Sequence, residues 1–427
     1  MMESTNNNKK TIRKKTVTLL GFSLLFLVLD RQWGFIYSHT VFSSRVATYV
    51  VFITLLILFL QVGNKYDYGK WTNLSVWWAP YLFYTILGYF SRLILQNLTY
   101  WLCCLILILI AACCFLLREL PLKALFWSGI VALVGVFFQL LFPAFYSAYI
   151  GSLFIRDDLI SLWTEGGGLN GFTYQLGTTA SIIICAELVL VCMKEKVLPA
   201  VQKHSYLYFL ILILMILGVF LTGKRTISVI ALILPVLLTS MSERNTKRKA
   251  LFLFLVGVAG FVGVQYFISN VVQLEETRFI SRFATSYVEM QGGDDFSSGR
   301  SNLSSLAINA YESNPIFGIG VGRFIEYTGA KMDVHNTYLQ VLCEQGIVGF
   351  VFYVLPLSVS LFYTRNLYKR TFGDKKRYVL LSLAFQIMFI LLAFTSNCNL
   401  GIDLIIYFIA IAISINVGVH RTVSSYR

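Results

Sequence analysis

Residues 205–241 read SYLYFLILILMILGVFL, then TGKRT at 222–226, then ISVIALILPVLLTSM. Outside that pentapeptide the stretch is apolar almost throughout. As one helix it would run ~55 Å, against a hydrocarbon core of ~30 Å. A single crossing would also place the basic loops at 194–204 and 242–249 on opposite sides of a bilayer. Two spans joined by a tight turn satisfy both constraints. The segment therefore predicts a helical hairpin with Lys224 and Arg225 at its outer tip, at or slightly below the surface.

The composition extends that reading to the whole chain. Of 427 residues, 57% are hydrophobic and 13% charged, where soluble domains are about half apolar and about a quarter charged. So little charge cannot cover a soluble core. Candidate spans lie near 16–36, 42–63, 74–91, 98–117, 122–146, 172–193, 205–221, 226–241, 250–270, 346–364, 378–396 and 399–419. The expected fold is all-α: one polytopic bundle of about twelve transmembrane helices over residues 1–427, with a cytoplasmic tail at 1–15. With the N-terminus inside, 24 of the 35 Lys and Arg fall on inner segments, and 14 of the 21 acidic residues fall on the outer side. That asymmetry is the positive-inside pattern, and it puts both termini in the cytoplasm.

The net charge of +14 raises the question of nucleic acid. The basic residues come in short clusters between apolar runs, with no basic face to track a phosphate backbone, so that class is excluded. Most of the eight cysteines lie inside apolar runs, where a thiol packs as a small hydrophobe. Cys343 and Cys398 alone come near the outer surface, which leaves a bridge between them open. Lys9 to Lys15 precede an apolar run without a small-residue cleavage site, so the first span reads as its own insertion signal.

Two outer segments are long. Residues 147–171 carry Arg156, Asp157, Asp158 and Glu165 before a triple glycine. Residues 271–345 form one 75-residue segment, too long for a structureless connection and so a functional candidate. Helical patterns run over Glu276–Met290 and Ser301–Tyr311, and Asn314-Pro315 should stop the second.

Four features carry chemistry. Lys224-Arg225 in a short outer turn runs against the positive-inside tendency. It reads either as an interfacial cation reaching the headgroups or as a fixed cation holding an anion, for which arginine suits a diphosphate. Ser297-Ser-Gly-Arg300-Ser301 opens a predicted helix, whose N-terminus favours an anion; a capped surface helix is the plain alternative. The glycines of Phe317-Gly318-Ile-Gly320-Val-Gly322-Arg323 lack a preceding strand, so no dinucleotide fingerprint is present and a turn is expected. His335-Asn336 runs into Glu344-Gln-Gly346-Ile-Val-Gly349. His335 and His39 are the outward-facing histidines, and an imidazole there could take a proton from a hydroxyl or simply serve a helix start. The outer acids show no metal-ligand spacing. No P-loop, kinase signature or nucleophile elbow is present, and no cofactor is expected.

Taken in order, Gly299-Arg300, Asn314-Pro315, Phe317 to Gly320, His335-Asn336 and, nine residues on, Gly346 to Gly349 resemble the O-antigen ligase and polymerase family of bacterial envelope glycan enzymes. Thr222-Gly-Lys-Arg-Thr226 is similar to the family's Ser-Arg-Thr/Gly turn, with Lys in place of Ser. Gly171 to Gly177 is a loose match to its Gly…Pro-Asn region. The close match spans about 50 residues.

The resemblance implies a C-type, metal-independent, inverting glycosyltransferase of the bacterial plasma membrane. Its donor would be a polyprenyl-diphosphate-linked oligosaccharide, used at the outer face. Arg225 and Arg300 would hold the diphosphate and neutralise the leaving group, with Lys224 and Arg323 as helpers. His335 would orient or deprotonate the acceptor hydroxyl, and Asn336, Gly318 and Gly320 would line the binding region. The 271–345 loop would act as a lid. Partners would be the bilayer and possible pathway companions, a chain-length regulator and a flippase. Polymerisation of repeat units into capsule, exopolysaccharide or O-antigen is the preferred activity. Ligase-type transfer to another acceptor, and a lipid-linked oligosaccharide flippase, stay open.

Overall fold

A computed structural model of the protein describes residues 18–19, 21–24, 44–63, 74, 76–89, 95–113, 119–154, 169–173, 178–193, 205–241, 255, 300–398 and 401–424. Most of the spans expected at 16–36 and 250–270, the helix at Glu276–Met290 and the acidic part of 147–171 lie outside these residues. Among the described residues the chain is helical, with no strand. The helices are α1 Ser44–Gly63, α2 Ala79–Tyr89, α3 Leu95–Cys113, α4 Glu119–Leu141, α5 Thr178–Cys192, α6 Ser205–Leu221, α7 Arg225–Met241, α8 Arg300–Ser313, α9 Phe324–Thr328, α10 Thr337–Arg370, α11 Asp374–Ala393 and α12 Ile402–Ser424. Leu122–Leu141, Thr337–Arg370 and Asp374–Ala393 are long and apolar enough to cross a membrane, and several shorter helices are also apolar. The chain is a helical membrane protein. Helices are the expected form, because in hydrocarbon a backbone must satisfy its own hydrogen bonds.

Three expectations need correction. The span placed at 122–146 is interrupted: α4 ends at Leu141, Phe142 leaves helical geometry at φ −128° and ψ 58°, and Pro143 opens a new short turn. Proline disfavours helical geometry in the residue before it. Residues Tyr146–Ile150 then form a π-turn. The span placed at 346–364 belongs to a longer helix, α10, which starts at Thr337 and bends at Gly346. Cys343 and Cys398 are buried free thiols rather than a surface pair.

The chain divides into two compact units. The first holds residues 1–31, 40–124 and 304–427. In it α10, α11 and α12 pack together, and α3 lies against α1 and α12. Polar groups join the helices: Ser360 and Tyr407 share a 2.7 Å hydrogen bond, Thr364 and Ser414 one of 2.9 Å, and Gln386 Nε2 donates to Thr364 at 2.8 Å. Such bonds matter in lipid, where apolar faces gain little from meeting one another. Trp78, Tyr81, Trp101, Tyr353 and Tyr407 form a buried aromatic cluster.

The second unit holds residues 32–39 and 125–303. Its centre is α5, packed against α6 and α7 and buried from Thr179 to Val191. Glu187 lies in the middle of that helix, its carboxylate against Gly129 and without a hydrogen-bond partner among the described residues.

The bend in α10 has a covalent requirement. Gly346 adopts φ 65° and ψ −170°, a region essentially restricted to glycine. A Cβ there would collide with the Ile316 carbonyl and sit 2.6 Å from Phe317 N. Gly329 also has positive φ, yet nothing lies within 4 Å of its would-be Cβ. Gly346→Ala should therefore lower the unfolding temperature clearly more than Gly329→Ala, at a cost of about 1–3 kcal/mol for the backbone alone. A thermal-unfolding comparison in detergent checks this, and equal losses would contradict it.

Candidate active site

The turn between α6 and α7 is built by short-range bonds. Thr222 N–H donates to Val219 O at 3.2 Å, Gly223 N–H to Phe220 O at 2.9 Å, and Thr222 Oγ1 to Val219 O at 2.6 Å. Gly223, at φ 71°, takes the left-handed position that ends many helices. Lys224 follows, half-buried, and Arg225 is the first residue of α7. The adjacent Lys and Arg thus stand at the N-terminus of a 17-residue helix, whose dipole adds to their positive charge. Arg300 occupies the same position on 14-residue α8 and is exposed.

The glycine turn and the His-Asn helix form one unit of backbone. Ile319 N–H donates to Cys343 O at 3.0 Å and Gly320 N–H to Glu344 O at 2.9 Å; Ile347 N–H returns to Pro315 O at 2.9 Å. The bend at Gly346 frees the carbonyls that accept these bonds. Gly318, at φ 72°, lies too close to the Glu344–Gln345 peptide for any side chain. The N–H groups of Ile319 and Gly320 are therefore committed to α10. Tyr84 adds a clasp, its hydroxyl donating to Gln345 O at 2.9 Å. Arg323 stands at the end of the turn with its Cδ against Gly320, and its guanidinium lies 3.7 Å from Glu326 in a partly exposed pair.

Asn336 caps α10: its Oδ1 accepts from Tyr338 N at 3.0 Å and Leu339 N at 3.1 Å. His335 is the exposed residue just before this cap. Its position is set by a network that the sequence reading missed. Thr337 Oγ1 donates to Ser396 O at 2.7 Å and accepts from Cys398 N at 2.8 Å. Gln340 Nε2 donates to Asp333 Oδ1 at 3.2 Å and Glu344 Oε1 at 3.3 Å, while Gln340 Oε1 accepts from Asn397 at 2.8 Å. Burial pushes the Asp333 carboxyl above its ordinary range, and the bond from Gln340 partly offsets this. The only local signal for this network was that Gln340 and Glu344 are four residues apart on one helix face.

Of the residues singled out from sequence, Gly318, Gly320, Arg323, His335 and Asn336 fall in the first unit, and Lys224, Arg225 and Arg300 in the second. Among the described residues no three His, Cys, Asp or Glu side chains cluster as metal ligands do. A comparison with curated proteins finds no match. Residues 210–354, which include the Lys-Arg turn, Arg300, the glycine turn and the His-Asn helix, match the family model for O-antigen ligase, a match that supports an O-antigen ligase/polymerase-like family.

Proposed function

We propose that the protein is an inverting, metal-independent glycosyltransferase that polymerises polyprenyl-diphosphate-linked repeat units at the outer face of the bacterial plasma membrane. The product is capsular polysaccharide, exopolysaccharide or O-antigen. The observation that carries this is the Lys224-Arg225 pair at a helix N-terminus, in a stretch that matches a glycan-transfer family. The proposal includes about twelve spans in a C-type arrangement, both termini in the cytoplasm, and residues 271–345 as an outer lid.

In the reaction an acceptor hydroxyl attacks the anomeric carbon of the donor from the face opposite the diphosphate. The bond from that carbon to phosphate oxygen breaks, and polyprenyl diphosphate leaves. Arg225 and Arg300, aided by Lys224 and Arg323, hold the diphosphate and neutralise the charge that grows on it. Stabilising such developing charge usually contributes more to catalysis than any other single effect. His335 takes the hydroxyl proton. Gly318 and Gly320 serve by letting the turn lie flat on α10, and Asn336 by fixing the helix start beside His335. Guanidinium groups supply the leaving-group charge compensation, so EDTA should leave the rate unchanged; strong inhibition reversed by a divalent cation would contradict the mechanism.

The deciding experiment uses purified protein in nanodiscs with the polyprenyl-diphosphate-linked repeat unit as sole substrate. A product ladder spaced by one repeat establishes polymerisation. The family description favours a second reading, ligase-type transfer, which would give one transfer only after a separate acceptor is added. Unchanged lipid under both conditions would discard transfer and direct attention to flipping. A chain-length regulator and a flippase are the proposed pathway companions.

A further inference from the structure

Within the second unit, the non-helical segment Leu169–Thr173 abuts the basic turn. Leu169 N–H donates to Leu221 O at 3.2 Å, the residue immediately before Thr222. The N–H groups of Asn170 and Gly171 both donate to Gln139 Oε1, at 2.8 and 2.9 Å. Thr173 Oγ1 donates to Asn170 O at 2.7 Å, and the Tyr146 hydroxyl donates to Gly171 O. Gly171, at φ +57°, lies so near the α4 backbone that a Cβ would sit 2.7 Å from Val136 N. Three side chains thus hold a few residues of backbone in place.

The side chain they position has no partner among the described residues. Asn170 is 0% exposed, and neither Nδ2 nor Oδ1 has a hydrogen-bond partner among the described residues. Buried amides nearly always find partners, and one without them is costly. Leucine would fill a similar volume without that cost. An amide kept here at a loss to stability marks a position whose partner comes from outside the chain.

We propose that Asn170 is a donor-binding residue that recognises the sugar next to the diphosphate. The proposal rests on the function proposed above. The chemistry of the amide selects the sugar over the phosphate. A diphosphate offers only acceptors and would leave Oδ1 unpaired, whereas a sugar hydroxyl or acetamido group both donates and accepts. The site is closed to solvent, so the sugar enters by local opening of the segment, and the low local dielectric then strengthens its bonds.

The test uses the full-length chain in nanodiscs and two probes, bare polyprenyl diphosphate and the polyprenyl-diphosphate-linked repeat unit. Binding and thermal unfolding are measured for wild type, Asn170→Leu and Arg225→Ala. Asn170→Leu should raise the unfolding temperature, bind the bare lipid like wild type and bind the glycan-bearing lipid about tenfold more weakly. Arg225→Ala should lose both lipids. A lower unfolding temperature for Asn170→Leu, or unchanged affinity for the glycan-bearing lipid, would overturn the role of Asn170 while leaving the proposed function standing. Failure of wild type to bind either lipid would remove both.

Discussion

Arg225→Ala and Arg300→Ala should each abolish polymer formation while the protein still inserts into the membrane. Each residue opens a helix, where a positive charge and the helix dipole act in the same direction. In the proposed reaction the diphosphate gains charge as the glycosidic bond breaks, so contacts to it strengthen in the transition state and raise the rate of the chemical step. Loss of one such donor typically costs about 10²–10³ in rate, below the sensitivity of a polymer gel. Arg→Lys at either position should keep the charge but lose the two-pronged grip on phosphate, leaving intermediate activity. Membrane-fraction blots beside product gels read the result. Full activity in either alanine variant would end the clamp mechanism.

His335→Ala should slow transfer at least ~100-fold, the ordinary contribution of a general base. The substitution is informative because His335 is exposed and Asn336, Thr337 and Gln340 each make bonds of their own at the start of α10. The Asn336 cap, the Thr337 bonds and the Gln340 amide bond to Asp333 are made by groups other than the imidazole. Lost activity with an unchanged unfolding temperature therefore assigns chemistry to the ring. His335→Gln, which keeps polar atoms but cannot take the proton, should be equally slow. An unchanged rate in His335→Ala would reduce the residue to a structural part of the loop.

Some features are readable because they obey local rules. The hairpin of α6 and α7 follows from length alone: 37 apolar-flanked residues exceed a bilayer, and a Thr-Gly-Lys-Arg run is the only place to turn. The end of α8 at Ser313 follows from Asn314-Pro315, since helical geometry is disfavoured before proline. The same rule applies at Phe142-Pro143, but apolar residues continue across it and hydropathy does not register a break in the helix.

What the sequence determined by itself is the class of molecule and the order of its motifs. Apolar runs without charge force helices in lipid. Tertiary structure alone decided how distant residues serve one another. The glycines at 318 and 346 are needed because two backbones 28 residues apart in sequence touch, and nothing local marks such an approach. Gln340, already beside Asp333 and Glu344, joins Asn397 only once the chain has folded back from 397. Asn170 is an ordinary Asn-Gly in the sequence and an unpartnered buried amide in the fold. Burial and hydrogen-bond satisfaction belong to the packed molecule, so no window of sequence contains them.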